Sequence, residues 1–154
     1  MTGKGTYTLL IALDEAATVE FGAAGERDLA AGWYAYTGTA FGPGGFARIE
    51  RHRELAAGER DARHWHVDYL LGYPASRVAG VVKSVGVDAE CAVSRRLDTD
   101  GDLDAETVAG LGASDCECDS HLRYARERDP LERAVRRAHE RESVGGGSDS
   151  LGRQ

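Results

Sequence analysis

Hydrophobic and polar residues follow strand-like patterns over the first forty positions of the chain. The run Tyr7–Leu13 is rich in apolar and β-prone residues, and Thr18–Phe21 alternates between the two classes before the turn Gly22–Gly25. These two segments predict a β-hairpin. The aromatic segment Gly32–Gly38 is bounded by glycines and predicts a third strand.

The middle of the chain predicts two helices and another strand. Apolar residues of Phe46–Leu55 are interspersed with charges, as in an amphipathic helix. Val78–Val87 predicts a strand, and Asp88–Leu97 predicts a helix with Asp88 as its N-cap. The segment His64–Leu71 fits either a short helix or a buried strand, and its periodicity does not decide between them.

The last third of the chain predicts loops, a short strand and one more helix. Asp98–Glu106 predicts an acidic loop, Gly110–Ser120 is small and turn-rich, and His121–Tyr124 predicts a strand. A final helix is expected to start at Asp129-Pro130, because an aspartate caps helices and proline suits the first helical position. We expect this helix to end near Glu142.

Together these elements predict one domain followed by a tail. Residues 1–142 are expected to form an α/β domain in which helices flank a small, mainly antiparallel sheet. The segment Ser143–Gln154 holds too little apolar surface to order itself, so it predicts a disordered C-terminal tail.

Length and hydropathy indicate a soluble domain of ordinary size. The chain has 154 residues, of which 42% are hydrophobic and 29% charged, as expected for one compact core. No apolar stretch approaches the ~20 residues that a membrane-spanning helix needs. The opening residues Met1–Gly5 do not begin a signal peptide, so a cytoplasmic location without membrane contact is expected.

The charge balance points to habitat more than to function. The formal net charge is −7, and the 19 basic residues include only two lysines, Lys4 and Lys83. The chain also has no asparagine, and this composition is typical of a salt-loving organism with a GC-rich genome. At about 1 M salt the Debye length is only ~3 Å, so the acidity does not exclude a nucleic-acid partner.

Two tripeptides and a helix carry the chemistry of the sequence. Gly5-Thr-Tyr7 opens the first predicted strand, Tyr36-Thr-Gly38 closes the third, and the following helix bears Arg48 and, one turn later, His52. This arrangement resembles the GIY-YIG nuclease superfamily, although threonines replace both central isoleucines. Longer runs around His52, Trp65 and Ser120 resemble its Uri-type archaeal branch, a domain sometimes fused to endonuclease III, and suggest a haloarchaeal source.

The resemblance implies metal-assisted hydrolysis of phosphodiester bonds. Glu90 would hold one Mg²⁺ or Mn²⁺ ion, which polarises the scissile phosphate. Tyr7 would accept a proton from the attacking water, and because an ordinary tyrosine pKa is about 10, a cation such as Arg48 must favour its ionised form. Arg48 would also bind phosphate oxygens in a bidentate manner. Tyr36 would position water or phosphate, and His52 would add a polar contact.

The same residue types also have ordinary structural explanations. Tyr7 and Tyr36 would commonly be core tyrosines with hydrogen-bonded hydroxyls. Arg48 and His52 could form a solvated helix face, and Glu90 suits the first turn of any helix because of the helix dipole.

One departure from the superfamily concerns its late asparagine, which many members use and this chain lacks. Ser114, Asp115, Ser120 or His121 could take its place, or full activity could be lost.

The three cysteines allow a second metal hypothesis. Cys91, Cys116 and Cys118 make an odd number in a chain without a secretion signal, which argues against a disulfide framework. With His121 they form a Cys₃His set suitable for tetrahedral Zn²⁺. Small buried cysteines are the alternative, since Cys-x-Cys is closer than the usual zinc spacing.

The sequence therefore predicts a divalent-metal-dependent endonuclease of GIY-YIG type, with DNA favoured over RNA as substrate and DNA repair as a setting. The alternatives are a non-catalytic nucleic-acid-binding module that keeps the fold and a zinc-stabilised interaction module. The pattern does not predict an oligomeric state.

Overall fold

An antiparallel sheet organises the part of the chain that the structure describes. The computed structural model describes residues 4–21, 25–41, 45–57, 66–73, 75–99, 106–107 and 122–147. In chain order the strands are β1 (Gly5–Leu13), β2 (Ala17–Glu20), β3 (Glu26–Leu29), β4 (Gly32–Thr39), β5 (Ser76–Val85), β6 (Glu106–Thr107) and β7 (Leu122–Ala125). The helices are α1 (Ala47–Ala56), α2 (His66–Leu71), α3 (Glu90–Thr99) and α4 (Arg128–Gly147).

Five strands form the main sheet in the order β5-β1-β4-β7-β6, and each neighbouring pair is antiparallel. β1 lies between β4 and β5, and all nine of its residues are buried. This placement explains its nearly continuous run of apolar and β-prone residues, which suits a strand covered on both faces. The predicted fold class, a mainly antiparallel sheet flanked by helices, is confirmed.

The predicted hairpin between the first two strands is wrong. β2 pairs with β3 in a separate two-stranded sheet, and among the described strands the partners of β1 are β4 and β5. β2 exposes alternate residues, with Val19 buried between exposed neighbours. β4 and β5 occupy the two sides of β1, so β2 pairs with β3 instead. The segment Glu26–Leu29 was not predicted as a strand.

The helices agree with the patterns except at their ends. Residues His66–Leu71 are helical, which settles the undecided segment. α3 begins at Glu90, so Ala89 precedes the first helical residue and the predicted N-cap, Asp88, lies one position too early. α4 continues to Gly147, five residues beyond the expected end at Glu142. Residues 148–154 lie outside the described range, and the disordered tail stays a prediction.

The predicted loops of the last third are only partly described. α3 includes Asp98 and Thr99, and Glu106 belongs to β6, so both ends of the predicted acidic loop lie in regular elements, and residues 100–105 lie outside the described range. The turn-rich segment 110–120 lies outside the described residues, whereas β7 confirms the predicted short strand. Within the described residues, no helix is both long and apolar enough to cross a bilayer.

Residues along β1 alternate between two hydrophobic cores. Tyr7, Leu9 and Ile11 pack in the larger core, to which α1 and α2 contribute. Leu10 packs in a second core with Leu97 of α3 and residues of α4. We call these two sides of the sheet the α1 face and the α4 face.

Candidate functional site

The two tripeptides lie side by side on neighbouring strands. Tyr7 of β1 is paired with Gly38 of β4, and Leu9 is paired with Tyr36. Because paired residues of an antiparallel sheet project from the same face, both tyrosine rings lie on the α1 face, in diagonal positions. The register thus brings the two predicted site tyrosines together.

Both tripeptide glycines are required by close packing. A Cβ atom at Gly38 would lie 2.7 Å from the Tyr7 hydroxyl and 3.1 Å from Cε2 of Tyr36. A Cβ atom at Gly5 would collide with the Ser84 carbonyl and lie 2.9 Å from Cζ of Phe46. Any larger residue would displace the Tyr7 ring or separate β1 from β5.

Tyr7 and His52 form a buried hydrogen-bonded pair. The Tyr7 hydroxyl lies 2.9 Å from Nε2 of His52, and each residue is 1% exposed. Either atom can donate, depending on the histidine tautomer. The Tyr36 ring meets the His52 ring edge-on at a centroid distance of 6.3 Å, which fixes the imidazole between the two tyrosines.

Arg48 is held one helical turn before His52. Its Nη1 atom donates a 2.7 Å hydrogen bond to the carbonyl of Thr39, at the end of β4. A guanidinium carries five N–H groups, and this anchor uses one of them. The side chain is half-buried, and this bond holds its guanidinium at the end of β4.

Thr6 fixes the helix that carries Glu90 to the same end of the sheet. The Thr6 hydroxyl donates to the Val87 carbonyl at 2.7 Å and accepts from the backbone N–H of Ala89 at 2.9 Å. Ala89 directly precedes Glu90, the half-buried first residue of α3. Thr6 also pairs with Thr39, the residue that anchors Arg48. Backbone geometry therefore places Arg48 and the start of α3 at one end of β1.

Glu90 is the residue that the family resemblance predicts to hold a divalent metal ion. Among them, no three or more histidine, cysteine or carboxylate side chains are grouped so that they could hold an ion. Mg²⁺ is commonly held by one or two carboxylates, water and substrate phosphates. The hard oxygen ligands of Glu90 fit that ion in donor type.

The zinc hypothesis depends on residues that are mostly not described. Cys91 lies on α3 and is disulfide-bonded, which the odd cysteine count did not predict. Cys116, Cys118 and His121 lie outside the described residues, as do the candidates proposed to replace the missing asparagine. Zinc requires thiolate sulfur, so the proposed Cys₃His set applies only to a reduced form of the chain.

A second buried histidine, His139, lies on the α4 face and was not among the predicted site residues. Nε2 of His139 lies 2.8 Å from the Thr8 hydroxyl, and its Nδ1 lies 2.8 Å from the Ser84 hydroxyl. The Thr8 hydroxyl also lies 2.9 Å from that of Thr37. Burial without a compensating charge lowers the pKa of His139 to about 4. The only sequence signal was an isolated histidine on the buried face of the last predicted helix.

Comparison with known proteins identifies a family for this chain. Residues 6–144 match the model of a family described as the domain of unknown function DUF123. Neither the curated proteins nor the solved structures contain a match. The match covers nearly all of the sheet and most of α4, and it includes Tyr7, Tyr36 and His52.

Proposed function

The chain belongs to the DUF123 family, which is GIY-YIG-like, and from this premise we propose that it hydrolyses phosphodiester bonds in nucleic acid with a divalent metal ion. The observation that carries the proposal is the Tyr7–His52 hydrogen bond, which lies where the two tripeptides meet. We further propose DNA as the substrate and a function like that of the Uri-type branch.

The tyrosine-histidine pair can move one proton. With His52 neutral and its Nε2 unprotonated, the Tyr7 hydroxyl donates its proton to Nε2 as its oxygen accepts a proton from the attacking water. The water oxygen then bonds to phosphorus, and the bond from phosphorus to the leaving oxygen breaks. His52 ends positively charged. The edge-on contact of Tyr36 with the His52 ring helps to hold the imidazole beside the Tyr7 hydroxyl.

Two charged residues complete the proposed site. Arg48 is anchored to Thr39, and its planar guanidinium suits the phosphate as negative charge grows on it. Glu90 would hold Mg²⁺ or Mn²⁺, and a bound ion stabilises the charge that develops on the phosphate and the leaving oxygen.

The burial of the pair favours a second candidate, a nucleic-acid-binding module that has kept the fold without cleavage. Tyr7 and His52 are each only 1% exposed, as expected for a satisfied polar pair in a core. In such a module the pair would stabilise the sheet, and Arg48 would contact phosphate.

A cleavage assay separates the two candidates. Labelled single- and double-stranded DNA and RNA are incubated at high salt with and without Mg²⁺ or Mn²⁺. We expect metal-dependent cleavage by the parent protein. Glu90→Gln should require much more metal or abolish cleavage, because it keeps the side-chain shape and removes the charge.

The matched control is Glu140→Gln, which removes one negative charge from an exposed position on α4. It should cleave like the parent. If the parent binds nucleic acid but never cuts it, the binding-module candidate replaces the nuclease. Equal loss in both glutamate variants would also contradict the assigned role of Glu90.

A further inference from the structure

Lys83 lies beside Tyr7 on the face of the sheet that holds the proposed site. It belongs to β5, the edge strand, and its partner in the register is Tyr7. Cross-strand partners project from the same face with Cβ atoms about 5 Å apart. The exposed Lys83 side chain therefore leaves the sheet on the α1 face, next to the Tyr7–His52 pair.

An aromatic ring holds the ammonium group of Lys83. Its Nζ atom lies 5.1 Å from the centroid of the Phe46 ring, which is itself buried and packed over Gly5. Within the described part of the chain, no carboxylate forms an ion pair with this lysine. A cation–π contact orients an ammonium group without cancelling its charge. Lys83 thus presents a fixed positive charge to solvent.

Lys83 and Arg48 lie on opposite sides of Tyr7. Lys83 is on β5, and Arg48 is anchored to the end of β4, while β1 runs between these strands. Neighbouring strands are about 4.8 Å apart, so this arrangement spans roughly 10 Å. A nucleic-acid strand carries one negative charge per nucleotide, so cations on the two sides of Tyr7 can contact different phosphates of one strand.

Exposed apolar side chains gather at the same end of the sheet. Val85 is 71% exposed and is paired with Gly5, and Phe41, which is 38% exposed, follows the end of β4. They are the large hydrophobic residues that the described part of the chain exposes. A nucleic acid offers both phosphates for the cations and sugars or bases for such apolar side chains.

We propose that Lys83 binds the phosphodiester backbone of the substrate beside the nucleotide at Tyr7, so that the strand crosses the sheet from β5 toward Arg48. This inference rests on the proposed function for the identity of the substrate. It assigns a binding role to Lys83 and no part in proton transfer.

Binding without metal tests the inference. The full chain and its Lys83→Gln variant are titrated into fluorescently labelled single-stranded DNA, duplex DNA and RNA of one sequence, over a range of salt concentrations. One phosphate contact fewer lowers the slope of log affinity on log salt by about 0.9 for duplex DNA and ~0.7 for single strands. For the duplex this corresponds to roughly eightfold weaker binding at 0.1 M salt.

Two further variants control for charge and fold. Lys83→Arg should keep the parental salt slope, because an arginine retains the charge on the Phe46 ring. Arg133→Gln removes one charge from an exposed position of α4, across the sheet from Tyr7, and should bind like the parent. In cleavage assays Lys83→Gln should raise KM with little change in kcat.

The outcomes distinguish this inference from the proposed function. If the parent cleaves DNA and Lys83→Gln binds with parental affinity and slope, the inference is overturned and the nuclease stands. If Lys83→Gln weakens binding by a protein that never cleaves, Lys83 keeps its role and the catalytic proposal fails. A parent that binds none of the three probes overturns both.

Discussion

The two faces of the sheet each bury a histidine against a hydroxyl of β1, yet the two hydroxyls differ in acidity. On the α1 face His52 meets Tyr7, and on the α4 face His139 meets Thr8, the next residue along the strand. A tyrosine hydroxyl ionises with an ordinary pKa of about 10, whereas a threonine hydroxyl does not ionise in proteins. The more acidic Tyr7 hydroxyl can therefore transfer a proton more readily than the Thr8 hydroxyl.

The two histidines also differ in the groups that surround them. Both ring nitrogens of His139 are engaged by aliphatic hydroxyls, and burial keeps its pKa near 4, so it stays neutral and serves structure. His52 lies between two aromatic rings and one helical turn from Arg48. The presence of a buried histidine therefore does not by itself indicate catalysis. The hydrogen-bond partner of the histidine and the charges near it determine whether it is suited to proton transfer.

The largest difference should appear when the two hydroxyls on β1 are removed in turn. Tyr7→Phe should lower the cleavage rate by roughly 10²- to 10⁴-fold, because the water loses its proton acceptor. It should cost about 1–3 kcal/mol of stability, because the buried His52 loses its hydrogen-bond partner. Rate measurements with thermal unfolding of the same samples provide the check.

Thr8→Val is the matched change on the α4 face. It leaves His139 without one partner and should destabilise the fold by about 1–3 kcal/mol with a nearly parental cleavage rate. A Thr8→Val protein that folds normally but has lost activity would show that the two faces are not functionally separate.

The next largest effect is expected at Arg48. Arg48→Lys keeps the charge but loses the planar pair of donors, and we expect a rate loss of roughly 10²-fold, as when one transition-state donor is removed. Arg51→Lys, on the same helix, should change the rate little. Single-turnover rates of the two variants make the comparison, and equal losses would remove the special role of Arg48.

A smaller, structural effect should distinguish His139 by pH. Its folded pKa, about 4, lies below the ordinary value of 6.5, so the unfolded chain takes up the proton first as the pH falls. The stability it contributes is complete above pH 6.5 and is lost progressively down to about pH 4. At 1.36 kcal/mol per pKa unit, the loss is roughly 3 kcal/mol.

Denaturant unfolding of the parent and of His139→Gln across this range isolates the effect. The free energy of unfolding of the variant should change less with pH between pH 6.5 and 4 than that of the parent. The stabilisation that Glu132 gives to the fold is also lost as the pH falls, but at lower pH, because hydrogen bonds from Arg136 and Arg128 lower the pKa of Glu132. Identical pH slopes in the two proteins would contradict the assignment to His139.

Local sequence patterns correctly predicted several individual helices and strands, because these form according to residues that are close together in the chain. The helix at Phe46–Leu55 and the strand at Val78–Val87 were found within two residues of their observed bounds. Strand pairing depends on distant segments, and there the hairpin prediction failed. The apolar run of β1 held the relevant signal, since it indicates a strand covered on both faces and thus a central position.

In the candidate site, too, the sequence indicated individual residues but not the long-range contacts between them. Tyr7, Tyr36 and Arg48 were named through the family resemblance, and the register brings the two tyrosines together. The contacts that support them join residues far apart in the chain, such as the 83 positions between Thr6 and Ala89. Thr6 bonds the N–H of Ala89 where Asp88 was expected to cap α3, and no local pattern could show this.

The central claim is that Tyr7 and His52 act as one unit, and a double-mutant cycle tests it most directly. Single-turnover cleavage of labelled DNA with Mg²⁺ is measured for the parent, Tyr7→Phe, His52→Gln and the double variant, after unfolding curves show that each is folded. We predict that each single change lowers the rate roughly 10²-fold or more and that the double variant is no slower than the slower single one. Losses that multiply in the double variant, or single variants that cleave at the parental rate, would contradict a shared proton path.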